Sequence, residues 1–252
     1  MRTNGGGNAI DKALAVLEAL AEHSRVTDIA VATGLPKSTV HRILQTLIDR
    51  HYALYAGDGH YTAGPRILTL AGKVLGRFNP AQHVEGALRR LRDATGYTVH
   101  FALLDGDEAV YAAKLEGSRP YQMPSRVGKG IRLHSTGIGK AVLAQMADEE
   151  VTELTARTGL QARTPHTITD PAALLDHLAT VRARGYALDE QENENGIRCI
   201  AAPVFGHTGA VIGGVSVSTL SLEPWKPPIE RLAPQVIAAA QEISGLLGAP
   251  TP

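Results

Sequence analysis

Between residues 37 and 45 the chain sets Lys37, Ser38, Thr39, His41, Arg42 and Gln45 almost side by side. These side-chain types hold phosphates and read base edges: Arg pairs with guanine, Gln with adenine, and Ser, Thr and Lys serve either purpose. The apolar stripe is Val40, Ile43, Leu44, Leu47 and Ile48. Wound at about 100° per residue, the segment turns Ser38, Arg42, Gln45 and Asp49 away from it, flanked by Thr39 and His41. Residues 36–51 carry Lys37, Arg42 and Arg50 against Asp49 alone, a local surplus of two positive charges, with His41 and His51 beside them. Taken alone, that face fits a solvated surface helix as well as a DNA-reading one, so the elements around it must decide.

A second group of candidates lies far along the chain. Residues 133–140 are a turn in which Gly137 and Gly139 open a helix, and free backbone N–H groups at a helix start favour a carboxylate or phosphate. A nucleotide-binding P-loop would need Gly at His134 and Ser or Thr at Ala141, and a dinucleotide fingerprint would need Gly at Val142, so neither applies. A capped, tightly packed helix is the simpler explanation of these glycines. In 211–218, Ser216 and Ser218 share a face with Gly214 while Val215 and Val217 point the other way, leaving a small hydroxyl-bearing face fit for solvent or a polar cavity. Cys199 is the only cysteine and by residue type is expected buried and inert. Asp189, Glu190, Glu192 and Glu194 have the look of a solvated acidic loop. No histidine pair has metal-ligand spacing, and neither a metal nor another cofactor is expected.

The elements that must position these residues follow from periodicity and punctuation. Ile10, Ala13, Leu14, Leu17, Leu20 and Ala21 recur at helical spacing. A short helix spans 26–33, capped by Thr27 or Asp28 and closed by Gly34. A third covers 36–49 with Pro36 in its first position. Residues 52–55 and 60–62 flank Ala56-Gly57-Asp58-Gly59 as a hairpin. Three helices and a hairpin make a winged helix-turn-helix, which shifts the weight toward DNA binding. One further helix, carrying Ile67, Leu68, Leu70, Ala71, Val74 and Leu75, leads to Asn79-Pro80, the clearest boundary. Beyond it come a helix ending at Gly96, strands at 97–104 and 108–115, and helices after Gly137, at 148–158 and after Asp170. Strands at 200–205 and 211–218 and a closing helix at 229–247 complete the chain, an α+β order.

Composition bounds the rest. Apolar residues are 44% and charged residues 20% of 252, an ordinary globular balance. Lys plus Arg equals Asp plus Glu at 25 each, so a basic surface must be local. One cysteine excludes an internal disulfide or a cysteine-based zinc site, and no apolar run approaches the roughly 18 residues that span a bilayer. A cytoplasmic protein with no membrane partner is expected.

Several collinear motifs resemble one family. Residues 26–30, 33–44 with Leu47, and Tyr61-Thr62-Ala63-Gly64-Pro65-Arg66 are similar to the DNA-binding domain of IclR-family transcriptional regulators. Leu133-His134-Ser135-Thr136-Gly137-Ile138-Gly139-Lys140-Ala141, then 184–190 and 196–204, match the family's second domain. The resemblance spans nearly the whole chain. It implies an α+β organisation: a flexible tail at 1–7, a winged helix-turn-helix at 8–64, a linker helix at 65–79 and a GAF-like effector-binding domain at 80–248. It implies that Thr27, Lys37, Ser38, Thr39, His41, Arg42 and Gln45 meet operator DNA while the wing at 57–59 approaches the backbone. Backbone at Gly137 and Ile138, with the side chains of Asp189, Cys199, Ser216 and Ser218, would bind an effector beside an apolar patch of Met123, Ile131 and Ile197. Ile138 is larger than the residue often found there, which would narrow or reshape the pocket.

The function so implied is a ligand-responsive regulator, more often a repressor, acting as a homodimer or dimer of dimers and not as an enzyme. Two other classes compete: a GAF-like sulfoxide-reducing enzyme, which would need a second, resolving cysteine, and an adaptor whose helix-turn-helix binds a protein. With no Lys or Arg among the matched pocket positions, the expected effector is a small organic acid with one carboxylate.

Overall fold

The computed structural model describes residues 8–75, 79–119, 123–221 and 228–250. The tail expected at 1–7 and the end of the linker at 76–78 lie outside them. Chain packing divides the molecule into two units, Met1–Phe78 and Asn79–Pro252.

In the first unit, α1 (Ala9–Ala19) is opened by Asn8, whose side chain accepts from the N–H groups of Ile10 and Asp11. The Asp11 carboxylate accepts in turn from Asn8 N–H at 2.9 Å, completing a capping box. Helix α2 (Val26–Thr33) ends at Gly34, whose φ of 67° is left-handed and suits a residue without Cβ. Its N-cap is Arg25 rather than Thr27 or Asp28, because Thr27 Oγ1 donates to the Asp28 carboxylate at 3.0 Å and both residues already lie in the helix. Pro36 likewise stands one place outside α3 (Lys37–Asp49), as its extended N-cap. Val16, Ile29, Val40 and Leu44 are completely buried where the three helices meet. Each such side chain removed from water contributes about 1.5–3 kcal/mol.

Strands β1 (Ala53–Gly57) and β2 (His60–Ala63) form the wing and run further than the sequence suggests. Their turn is Asp58-Gly59, at φ 49° and 73°, the turn hand that matches strand twist. Arg25 bridges His60, and Tyr61 N–H donates to Ser24 carbonyl at 2.7 Å, so residues 24–25 add a short third edge. Helix α4 (Pro65–Leu75) follows.

The second unit opens with α5 (Pro80–Thr95), which Asn79 precedes and Gly96 closes at φ 73°. Next come β3 (Thr98–Asp105), β4 (Glu108–Leu115), β5 (Gly130–Arg132), α6 (Gly137–Leu143), α7 (Asp148–Thr158) and α8 (Pro171–Arg184, capped by Asp170). Then β6 (Ala187–Glu190), β7 (Ile197–Phe205), β8 (Val211–Leu220) and α9 (Ala233–Leu246) complete the order. The closing helix expected in one piece begins instead as a 3-10 turn, Ile229–Leu232, because Pro234 in the first turn of α9 has no N–H to continue the ladder.

The six strands form one antiparallel sheet in the order β5-β4-β3-β8-β7-β6. Helices α5 and α9 pack on each other and on the sheet, while α6 crosses β6, β7 and β8 and packs on α8. Along β3 and β8, Val99, Phe101, Val215 and Val217 alternate with His100, Ala102, Gly214, Ser216 and Ser218. The second set shares its face with α6, since a side chain at Gly214 would press on Ile138. Gly139 permits the same closeness one turn on: a Cβ there would overlap the Leu133 backbone, which seals the turn that carries Gly137 and Ile138. Among the described residues no helix is long and apolar enough to cross a membrane.

Candidate functional site

Helix α3 presents Lys37, Ser38, His41, Arg42, Gln45 and Asp49 to solvent, with Thr39 half-buried at the edge of the apolar stripe. Lys37, Ser38, His41 and Gln45 form one wall of a groove of about 950 Å³, joined by Thr27 from α2. Arg25, Tyr55, Asp58 and Gly59 complete it from the wing side. Thr39 and Arg42 lie outside this groove, further round the helix. The Arg42 guanidinium has no hydrogen-bond or ion-pair partner among the described residues, while the Gln45 amide donates to Asp49 at 3.2 Å. Arg25 was not singled out from the sequence. Its Nε donates to His60 Nε2 at 3.2 Å and Ser24 Oγ lies 3.0 Å from His60 Nδ1, which ties the root of α2 to the wing. Only the pairing of 24–25 with β2 reveals it, and no periodicity signals a bridge of that length.

The second unit encloses a cavity of about 240 Å³ between α6 and the sheet. All nine residues matched to an effector pocket line it: Gly137 and Ile138 from α6, Asp189 from β6, Cys199 from β7, Ser216 and Ser218 from β8, and the apolar Met123, Ile131 and Ile197. Both serines and all three apolar residues are buried. Antiparallel register aligns the polar set, pairing Asp189 with Cys199, Cys199 with Ser218, and Ser216 with His100. Ile138 packs toward Gly214, so the absence of a side chain at 214 makes room for its bulk.

His100, Tyr111 and Ser125 belong to the same wall and were not anticipated. Cys199 Sγ lies 3.1 Å from Ser218 Oγ, Ser218 Oγ 3.3 Å from His100 Nδ1, and His100 Nε2 2.7 Å from Ser125 Oγ. The imidazole lies against the Tyr111 ring at 4.8 Å. Burial, with a smaller push from the Lys114 ammonium, drives the His100 pKa down to about 3, so the ring is neutral and offers one donor and one acceptor. Burial pushes the Cys199 thiol well above its ordinary range, and Asp189 nearby adds to this, so the sulfur stays protonated. Ser216 Oγ, in contrast, has no partner among the described residues. The alternation of β3 would have flagged His100 once its register with Ser216 was known.

The acidic run is only partly solvated: Glu194 is exposed and Glu190 half-buried. Asp189 and Glu192 are buried, and the Lys140 ammonium, itself without exposure, forms an ion pair with Glu192. Asp189 Oδ1 accepts from Glu192 N–H at 2.7 Å and Asn193 N–H at 3.3 Å. Thr164 and Thr167 hydroxyls donate to the carbonyls of Gln191 and Glu192 at 2.7 and 2.6 Å. Burial pushes the Asp189 pKa up to about 7, against the pull of the Glu192 N–H and the Lys140 charge.

At the start of α6, Thr136 Oγ1 accepts from Gly139 N–H at 3.1 Å and donates to Arg132 carbonyl at 2.7 Å. Gly137 and Ile138 keep N–H groups with no intrahelical partner. The nine matched positions include no Lys or Arg, but Lys129, Arg132 and Arg163 line the cavity beside them, with Glu108 and Glu194. They come from β5 and from loops outside the matched motifs. No group of three or more His, Cys, Asp or Glu suited to a metal occurs among the described residues.

Comparison with known proteins covers both units. Residues 9–55 match the family model "IclR helix-turn-helix domain", and 72–245 match "Bacterial transcriptional regulator IclR C-terminal". The chain is 34% identical over 246 residues to the HTH-type transcriptional regulator XynR of Escherichia coli, covering 96% of this chain and 98% of the relative. It is 35% identical to the HTH-type transcriptional regulator BhcR of Paracoccus denitrificans, with 96% and 88% covered. The transcriptional repressor IclR of Escherichia coli is 32% identical, with 95% and 90% covered. Among solved structures, the IclR of Thermotoga maritima is similar at TM-score 0.65 and 34% identity, with 96% and 99% of the two chains covered.

Proposed function

Because the chain belongs to the IclR family of bacterial transcriptional regulators, whose members bind operator DNA and small-molecule effectors, we propose that it is a repressor whose grip on its operator is changed by a small organic acid seated between α6 and the sheet. One observation carries the effector half of this reading. Positions matched by the family resemblance, far apart in sequence, line a single cavity together with a serine hydroxyl, that of Ser216, without a partner among the described residues. A carboxylate there would take the N–H groups of Gly137 and Ile138 and the hydroxyls of Ser216 and Ser218. Ser216 is free to donate outright, whereas Ser218 must turn from His100 or Cys199. Asp189, half-protonated near neutral pH, can donate to the acid or accept a hydroxyl from it. The apolar end would rest on Met123, Ile131 and Ile197.

For DNA, α3 supplies Lys37, Ser38, Thr39, His41, Arg42 and Gln45, with Thr27 beside them, and the wing reaches for the neighbouring phosphates. Pairing of two chains suits the exposed apolar residues of α1 and α4, where Ile10 is 69% and Leu68 77% exposed. A dimer then reads two half-sites, and two dimers can join into a tetramer. A thiol held protonated is a poor nucleophile, which speaks against the enzyme alternative.

The cavity assignment is tested by a thermal melting screen against small carboxylates, neutral sugars and amines. A carboxylate should stabilise the wild type, and Ser216→Ala with Ser218→Ala should abolish that stabilisation while leaving DNA binding intact. Stabilisation only by neutral or cationic compounds, or an equal response of the double variant, contradicts it.

A further inference from the structure

The cavity's interior and its rim differ in charge, and the rim is the part that the organic-acid reading does not use. Lys129, Arg132 and Arg163 stand on the lining against two carboxylates, Glu108 and Glu194. None of the three cations forms an ion pair within the described residues. The backbone around each is nevertheless fixed. Arg132 ends β5 in register with Glu108, and its carbonyl is held by Thr136. Lys129 carbonyl accepts from Tyr111 N–H at 3.1 Å, and Arg163 N–H donates to Thr167 Oγ1 at 3.0 Å. Arg163 also donates its Nε to Asn193 carbonyl at 3.3 Å, which anchors the stem, and its two terminal nitrogens have no partner among the described residues.

Water satisfies an exposed cation, but three cations on the lining of one polar cavity give its mouth a positive field that favours an anion. We propose that the effector carries two anionic groups: a carboxylate held inside by Ser216, Ser218 and the α6 backbone, and a second anion at the rim held by Arg132 and Arg163, with Lys129 adding its charge. This rests on the organic-acid reading above and narrows it. A guanidinium holds a carboxylate or a phosphate through paired N–H donors, so either group satisfies the rim. The apparent obstacle is Asp189, whose charge would repel a dianion. Burial removes much of that obstacle, because a carboxyl titrating near neutral pH is discharged at little cost when an anion arrives.

The test uses the full chain and three probes of similar length: butyrate with one carboxylate, succinate with two, and 3-phosphoglycerate with a carboxylate and a phosphate. Calorimetric titration should show succinate or 3-phosphoglycerate binding the wild type about tenfold tighter than butyrate, with a preference that shrinks as salt is raised. Whichever of these two binds more tightly identifies the rim group. In Arg132→Gln with Arg163→Gln the preference should fall to about twofold or less, with butyrate affinity unchanged. Equal or tighter binding of butyrate by the wild type, or an undiminished preference in the double variant, overturns the proposal and leaves the single-carboxylate reading standing. Binding of none of the three likewise overturns the proposal, and the melting screen then decides the organic-acid reading.

Discussion

Asp189 concentrates the chemistry of the cavity in one side chain. Its carboxyl is buried, takes two backbone N–H groups, and titrates near 7 rather than in the usual carboxylate range. Between roughly pH 4 and 7 the folded chain therefore holds a proton that the unfolded chain releases. Stability must fall as pH rises through that window, the opposite of the usual paired carboxylate. Asp189→Asn keeps an acceptor for Glu192 and Asn193 N–H but has no charge to bury. Its melting temperature should match the wild type near pH 4 and exceed it increasingly up to pH 8, by a stability difference on the order of 3 kcal/mol. A difference that does not change with pH would show that Asp189 is not the titrating group. The sequence carried part of this residue-level picture. Alternation in 211–218 separates the serine face from the valine face, and the family resemblance implies the nine wall positions. It could not carry the burial of Asp189 and Glu192, because that depends on Lys140 arriving from a different element to neutralise Glu192. The rim cations escaped for a similar reason, lying on segments with no pattern of their own.

Elements with long periodic faces were legible, and short ones were not. Helices α3, α7 and α8 follow from apolar spacing and from Pro or Asp at their starts, and the closing glycines of α2 and α5 are plain in the sequence. Strand β5 has three residues and β6 four, too few for alternation to register, yet they edge the sheet and carry Ile131, Arg132 and Asp189 into the cavity. The bridge from Arg25 to the wing is shorter still. For the proposed DNA contact of α3, the side chain to test is Arg42, exposed and without a hydrogen-bond or ion-pair partner among the described residues. If it reads a base, Arg42→Ala should cost about 1–3 kcal/mol on operator duplex and much less on random duplex, as measured by fluorescence anisotropy at fixed salt. Equal losses on both would reduce Arg42 to a phosphate contact.

At the scale of the whole molecule, a chain with no net charge gains little from long-range attraction to DNA, so the proposed function assigns its affinity to the local surplus along α3 and the groove beside the wing. The α+β architecture and the IclR assignment are both legible in the sequence, because several motifs fall in one order over nearly the full length. What no motif could supply is the cavity's charge map. A regulator of this kind requires that the ligand favour one of two states that differ in DNA affinity, and the coupling is then reciprocal by thermodynamic necessity. The direct test is a pair of titrations on the full chain. One measures affinity for the duplex upstream of the chain's own gene with and without a saturating carboxylate that raises its melting temperature; the other measures affinity for that carboxylate with and without saturating duplex. The account predicts specific binding of the duplex, and the same factor, about fivefold or more, in both titrations. No preference for that duplex over random DNA, or a ligand that binds tightly and leaves DNA affinity unchanged, would contradict it.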